Sequence, residues 1–391
     1  MLLSPTDSVA LAQALIRCQS VTPNEAGALQ LMEDVLKPLG FQCHRLTMRE
    51  AGTPDVENLY ARIGSGAPHL CFAGHTDVVP PGDKAMWRHG PFEGVIDGGE
   101  LYGRGAVDMK GAIAAFTAAS AGHLRKMQMQ GGLVRGSISL LLTGDEEGPS
   151  INGTAKVLDW LAARGEVIDG AIVGEPTNPT ILGEEIKIGR RGSLTAEIVI
   201  TGKQGHVAYP QLAENPVPRL VRVLDRLCRQ RLDNGNDDFE PSNLEVTVIG
   251  APNAATNVIP AEAKAKINIR YNSEWTRPRL EAWVRAQIDE IVREMPMNVM
   301  TVFSGTGDVF LTKPGRLVSL MQAAVRAETG RDARLTTNGG TSDARFIQAY
   351  CPVIEFGLIN TLAHHVDERV AVSDLRLLEA IYARFIETFL A

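Results

Sequence analysis

An α/β protein interrupted by an α+β insertion is the fold class that this 391-residue sequence predicts. Three observations carry it. At both ends of the chain, short apolar runs bounded by Gly and Pro alternate with helical patterns, which gives a mostly parallel sheet flanked by helices. From about Arg191 the pattern becomes period-two strands interleaved with amphipathic helices, in the order β-α-β-β-α-β of ferredoxin-like domains. After residue 304 the first pattern resumes. The expected division is therefore 1–190 and 305–391 for two parts of one α/β domain, with 191–304 inserted.

Each element has its own signal. Val9–Ile16 carries apolar residues at helical spacing behind Ser4-Pro5-Thr6-Asp7, a capping sequence. Leu29–Leu36 repeats the pattern and ends at Gly40, and Gly111–Leu124 is an Ala-rich helix. Leu70–Ala73, Ser137–Thr143 and Ala171–Val173 are continuous apolar runs, as buried strands are. Gly153–Ala163 is helical. Within the insertion, Leu194, Ala196, Ile198 and Ile200 alternate with other residues. Leu244–Ile249, Ala263–Ile269 and Val299–Phe303 are further strands, and Pro216–Gln230 and Arg277–Glu294 are helices. Such a domain covers one face of its sheet and leaves the other available to a second subunit. Leu317–Thr329, Val353–Phe356 and Asp374–Leu390 complete the outer domain as helix, strand and helix.

Composition narrows the class of function. Hydrophobic residues make up 44% and charged residues 22%, a globular balance. The net charge of -7 argues against a nucleic-acid partner, because phosphate binding needs a basic stripe. No run of 18 apolar residues occurs, so no membrane partner is expected. The 5 cysteines are widely spaced without a C-x-x-C, which fits a reducing cytoplasm better than a disulfide framework. The first residues lack the basic start and cleavage site of a secretory signal.

Ionisable residues gather just after the apolar strands: Gly74-His75-Thr76-Asp77, Gly144-Asp145-Glu146-Glu147-Gly148, Gly174-Glu175 and His364-His365, with Asp108 opening the Ala-rich helix. Ligands bind at the carboxyl ends of strands in open α/β sheets. Two histidines among several carboxylates suit zinc. There are too many carboxylates for one tetrahedral ion. Two ions ~3.5–4 Å apart, bridged by one carboxylate, use them all. Of the neighbours Glu146 and Glu147, one can bind metal while the other acts as general base.

The motifs GHTDVVP (74–80), GRGAVDMKG (103–111), GDEEG (144–148) and GEPT (174–177) resemble the M20 peptidase family of co-catalytic zinc amidohydrolases. GRRGS (189–193), QGHVAYPQLAENP (204–216), NVIPAE (257–262), LTKPG (311–315), GGTSDARF (339–346) and H-x-V-D-E (364–368) extend the resemblance nearly end to end, in family order. It implies a zinc-hydrolase-type fold with a dimerisation or lid insertion. It implies two Zn2+ per subunit, with Co2+ able to substitute: His75 and Glu175 on one ion, Glu147 and His364 on the other, Asp108 bridging, and Glu146 as base. Asp77 matches the carboxylate that orients the first histidine. His206 corresponds to a histidine that reaches the partner subunit's active site and stabilises the oxyanion, so a homodimer is implied. Arg190, Arg191, Ser193, Tyr209, Asn257, Gly340, Thr341 and Asn360 match substrate-binding positions. A guanidinium suits the free carboxylate of a succinyl amide, although the sequence leaves open which arginine faces inward. The implied reaction is hydrolysis of N-succinyl-LL-2,6-diaminopimelate to succinate and LL-diaminopimelate, a step of lysine and diaminopimelate synthesis.

Plainer readings exist for each residue alone. A lone His after a strand is usually a satisfied polar residue, and Asp108 alone would read as a helix cap. Joint occurrence in family order favours ligands. Other M20 deacylases or peptidases, such as an acetylornithine deacetylase, would share the metal site. An inactive binding relative would have lost a ligand or the base, and none is missing.

Overall fold

The structure is a computed structural model that describes residues 4–132 and 135–391. It divides into two compact units, 1–188 with 312–336 and 342–391, and 189–311 with 337–341. Chain order alone placed the insertion at 191–304. Two features account for the difference. Phe310–Leu311 pairs antiparallel with Gly189–Arg190, which carries both edges of the insertion outward. Residues 337–341 also belong with the insertion, although they lie beyond its closing strand.

The first unit holds an eight-stranded sheet. Its order is Gln42–Met48, Val56–Gly64, Ser137–Thr143, His69–His75, Gly170–Val173, Val353–Glu355, Glu185–Lys187 and Arg334–Thr336. The central strands, from Ser137–Thr143 to Val353–Glu355, run parallel to one another. His69–His75 and Ser137–Thr143 are buried at every residue, as strands covered on both faces must be. Helix Lys110–Met129 packs on Val372–Leu390 and on Ser8–Arg17. Asp7 caps the first helix by accepting from the amides of Val9 and Ala10, as its sequence position predicts.

Small residues allow close approach beneath the strand ends. A Cβ on Gly74 or on Gly174 would lie 2.7 Å from Met109 Cε. That methionine directly precedes the Ala-rich helix and so draws the helix start, with Asp108, against both strands.

The second unit contains a four-stranded antiparallel sheet in the order Asn243–Gly250, Glu262–Tyr271, Gly192–Thr201, Asn298–Gly307. With helices Val217–Cys228 and Arg277–Glu294 it has the ferredoxin-like arrangement. Ala263, Ala265, Ile267 and Ile269 alternate inward and join Leu220, Val223, Val284 and Ile288 in one core. The other face carries the Glu197–Lys266 ion pair at 3.4 Å and exposes Val248, Met300 and Val302 by 52%, 58% and 54%. Among the described residues, no helix is long and apolar enough to cross a membrane.

Candidate metal centre

Topology supplies the convergence. His75 ends its strand, and the strands that stop at Thr143 and Val173 lie on either side of it, in register and parallel. Their following residues, Glu146, Glu147 and Glu175, therefore emerge on one rim. Asp108 arrives from the helix start, and His364 from the turn after Asn360–Leu362.

Asp108 stands between the two histidines. Its Oδ1 is 3.1 Å from His75 Nε2 and its Oδ2 is 3.2 Å from His364 Nε2. Glu175 Oε1 lies 3.8 Å from His75 Nε2, and Glu147 Oε1 lies 2.8 Å from His364 Nε2. Two groups of donor atoms result, His75–Asp108–Glu175 and Asp108–Glu147–His364, each with its atoms within 4.8 Å of one another. They share only Asp108, one oxygen facing each side. A third group, His75–Glu146–Glu147, overlaps them.

The charges do not balance without a cation. Burial pushes the Glu175 and Glu146 carboxyls well above the ordinary range, and neighbouring carboxylates add to it. Burial opposes charge on His75, yet Asp108, Glu175 and Glu146 hold it well above its ordinary value. Hydrogen bonds donated to Asp108 and Glu147 raise His364 to about 10. Asp108 is held far below the usual carboxylate range by both histidines, against burial. Four buried or half-buried carboxylates facing two imidazoles form a donor set that divalent cations satisfy. The residues present fit a centre for divalent metal.

Asp77 differs from expectation in which atom it uses. His75 Nδ1 bonds the backbone carbonyl of Asp77 at 2.9 Å, while the carboxylate Oδ1 is 3.7 Å away. The carboxylate instead accepts the Thr22 hydroxyl at 2.7 Å and the amides of Glu146 and Glu147 at 3.3 and 3.1 Å. Those amides sit in a tight turn and point at it, so it orients the loop of both glutamates. Burial raises Asp77 to about 6.

Other residues around the centre received no role from sequence reasoning. Asp145 accepts the amides of Ile151 and Asn152, both at 2.8 Å, and closes the same loop. Asp343, buried and bonded by the Thr154 hydroxyl at 2.6 Å, bears electrostatically on Glu146. Lys110 is wholly buried, donates to the Cys18 carbonyl at 2.8 Å and is lowered by burial to about 8. Asp343 and Lys110 belong to quoted motifs, but nothing in their spacing sets them apart from neighbouring polar residues.

The model of peptidase family M20/M25/M40 matches residues 71–388. The chain belongs to the M20 peptidase family. It is 54% identical over 387 residues to a succinyl-diaminopimelate desuccinylase of Methylorubrum populi, covering 99% of both chains. A protein of the same name from Rhodospirillum centenum is also 54% identical, over 98% of each chain. Among solved structures, the M20 metallo-carboxypeptidase Sso-CP2 of Sulfolobus solfataricus superposes with a TM-score of 0.79 at 17% identity, covering 98% of this chain and 99% of that one. The Bacillus subtilis YXEP protein, described as a dinuclear metal-binding M20 peptidase, gives 0.72 at 16% identity, covering 99% and 98%. This M20 chain is a hydrolase.

The substrate-side residues fall mostly in the second unit. His206 pairs with Val258 in a short ribbon, its ring 5.7 Å from that of Tyr209. Asn257 adjoins that ribbon and accepts the Val207 amide through its carbonyl at 3.0 Å. All three are exposed. Arg190 Nη1 donates to the Asn338 carbonyl at 3.2 Å. Arg191 Nη1 donates to Pro241 O and Asn243 Oδ1 at 3.1 and 3.2 Å. Gly340 and Thr341 belong to the 337–341 segment of this unit. Asn360 lies in the first unit, exposed, its amide donating to the Asn178 carbonyl at 2.9 Å. Arg270 is another residue that sequence reading missed. It pairs across the sheet with Ser193, its buried Nη1 has no hydrogen-bond partner among the described residues, and burial and the Arg191 charge lower its pKa. Adjacent guanidiniums of this kind form an anion-attracting surface.

Proposed function

We propose that this chain is a cytoplasmic dizinc amidohydrolase that cleaves N-succinyl-LL-2,6-diaminopimelate to succinate and LL-2,6-diaminopimelate, working as a homodimer. The observation that carries the chemistry is Asp108, whose two oxygens each face one histidine across a pair of donor sets. The substrate reading is supported by relatives of that name that match end to end. Free thiols at Cys18, Cys43, Cys71, Cys228 and Cys351 fit a reducing compartment.

His75 and Glu175 would hold one zinc, Glu147 and His364 the other, and Asp108 both. Bound there, the ions supply Lewis acidity toward the amide carbonyl and toward the attacking water. Glu146 takes a proton from that water at its carboxylate as the oxygen adds to the carbonyl carbon. It returns the proton to the amine nitrogen as the C–N bond breaks. The carboxylate of Asp77 keeps the Glu146–Glu147 turn in place. His206 Nδ1 accepts the Ala208 amide at 3.0 Å. The neutral ring therefore carries its proton on Nε2, the donor an oxyanion needs. We assign that donor to the partner's active site. The exposed apolar residues on the open face of the ferredoxin-like sheet support self-association. The guanidinium of Arg190, or of Arg191 near Arg270, suits the succinyl carboxylate, with Ser193, Tyr209, Asn257, Gly340, Thr341 and Asn360 completing the substrate contacts.

The test is a comparison of turnover on N-succinyl-LL-diaminopimelate and on N-acetylornithine by purified protein with added zinc. Preference for the succinyl amide is expected. A higher kcat/KM on acetylornithine would overturn the substrate, and failure on both amides would overturn the activity.

A further inference from the structure

One buried ion pair lies beside the metal centre without serving as ligand, base or substrate contact. Arg104 is 2% exposed and Glu368 is 0% exposed. Arg104 Nη1 lies 2.7 Å from Glu368 Oε2. Burying two such charges is costly unless further hydrogen bonds satisfy them. Here most of those bonds go to the two segments that carry Asp108 and His364, with one further bond from Arg104 Nη2 to the Pro80 carbonyl at 3.5 Å. Glu368 Oε1 accepts the amides of Val107 and Asp108 at 2.9 and 3.1 Å. Arg104 donates through Nη1 to the His365 carbonyl at 3.1 Å and through Nη2 to the His364 carbonyl at 3.2 Å. The Trp87 ring covers the guanidinium at 5.3 Å.

Both segments need such support. Neither Asp108 nor His364 lies within a helix or strand. His364 and Asp367 have φ of 64° and 59°, left-handed conformations that cost a side-chain-bearing residue energy and persist only where surroundings hold them. His75, by contrast, is held within a strand hydrogen-bonded on both sides.

We propose that Arg104 and Glu368 are positioning residues that fix the Asp108 carboxylate and the His364 imidazole relative to one another, and thereby set the affinity for the ion shared by Asp108, Glu147 and His364. This role rests on the metal reading above. It makes the two ions unequal: losing the pair loosens the Asp108–Glu147–His364 ion more than the one on His75 and Glu175.

The experiment uses full-length Glu368→Gln, Arg104→Lys and Arg104→Met, with zinc counted after dialysis and Co2+ titrated into metal-free protein while visible absorption is followed. In Glu368→Gln an amide must present N–H to a group it formerly accepted from. Lysine keeps the charge but cannot span Glu368 and both carbonyls. Affinity for the weaker ion should fall ~10–100-fold in Glu368→Gln, the usual effect of removing a ligand's support. Zinc should fall from about two ions per chain towards one. kcat should fall with KM nearly unchanged and recover on adding zinc, with Arg104→Lys between wild type and Arg104→Met. Folded variants that keep both ions at wild-type affinity, or that lose both ions equally, would overturn the proposal. So would failure of Glu368→Gln and Arg104→Lys to fold, which would make the pair a stability element. Wild-type protein holding fewer than two ions would instead overturn the metal reading itself.

Discussion

Replacing Glu146 by Gln separates a base from a ligand. The side chain keeps its length, and its loop is held by main-chain amides donated to Asp77, which the substitution leaves in place. The amide cannot take a proton from water or return one to the leaving amine. General acid–base groups are worth typically ~10²–10⁴-fold, or about 2.7–5.4 kcal/mol at 1.36 kcal/mol per decade. Glu146 is used twice in one turnover, so the loss in kcat should fall near the upper end of that range. Stability should not fall. Burial, with Asp343 and Glu147 beside it, raises the folded-state pKa of Glu146, although His75 opposes this. A carboxyl raised on folding costs stability once the pH exceeds its unfolded value, and the neutral amide removes that cost. The metal-free variant should therefore melt no lower than wild type at neutral pH. Steady-state kinetics, zinc analysis and thermal melting on the same preparation test all three points. Glu146 also belongs to the His75–Glu146–Glu147 donor group, so the alternative is concrete. Near-normal kcat in a fully metallated variant would refute the base assignment. Zinc loss in step with activity, restored by added zinc, would make Glu146 a ligand instead.

Three further outcomes follow from the geometry. His364→Ala should lose one ion preferentially on dialysis while His365→Ala keeps both, and the reverse result would show that the wrong member of the adjacent pair has been assigned. In metal-free protein His364 is raised from 6.5 to about 10 by Asp108 and Glu147, so its charged form stabilises the fold below 6.5 and that contribution is lost as the pH rises through about 10. Zinc must displace this proton, so calorimetry in buffers of different ionisation enthalpy should show proton release at neutral pH, with affinity rising as the pH increases; release of no proton would contradict the pairing. Mixing His206→Ala with Glu146→Gln under conditions of subunit exchange should restore about a quarter of wild-type activity, since about half the dimers are mixed and each has one intact site; verified exchange without recovery would place His206 in its own subunit's site.

Much of this centre is legible in sequence because parallel strands put chemistry at their ends. An apolar run such as Ser137–Thr143 is recognisable alone, and whatever follows it must emerge on the ligand-binding rim. His75, Glu146, Glu147 and Glu175 follow such runs directly. Strands Gln42–Met48 and Val56–Gly64 are absent from the sequence reading for the converse reason. Gln42–Met48 lies at the sheet edge with mixed polar residues and no fully buried position, so no apolar run betrays it, and in Val56–Gly64 the buried Leu59, Tyr60 and Ala61 are a run only three residues long between Asn58 and Arg62. Asp77 was legible as a residue but not as a set of atoms, because the choice between its carbonyl and its carboxylate is made by a turn two residues long. Arg104 and Glu368 are 264 positions apart. Each alone looks like a solvated charge, and only their complete burial shows that they must satisfy one another. Such burial is tolerable because the Glu368 oxygens and most of the Arg104 donors are taken up by the pair itself and by the Asp108 and His364 segments. The interactions hardest to read from the sequence are thus those that hold the legible ones in place.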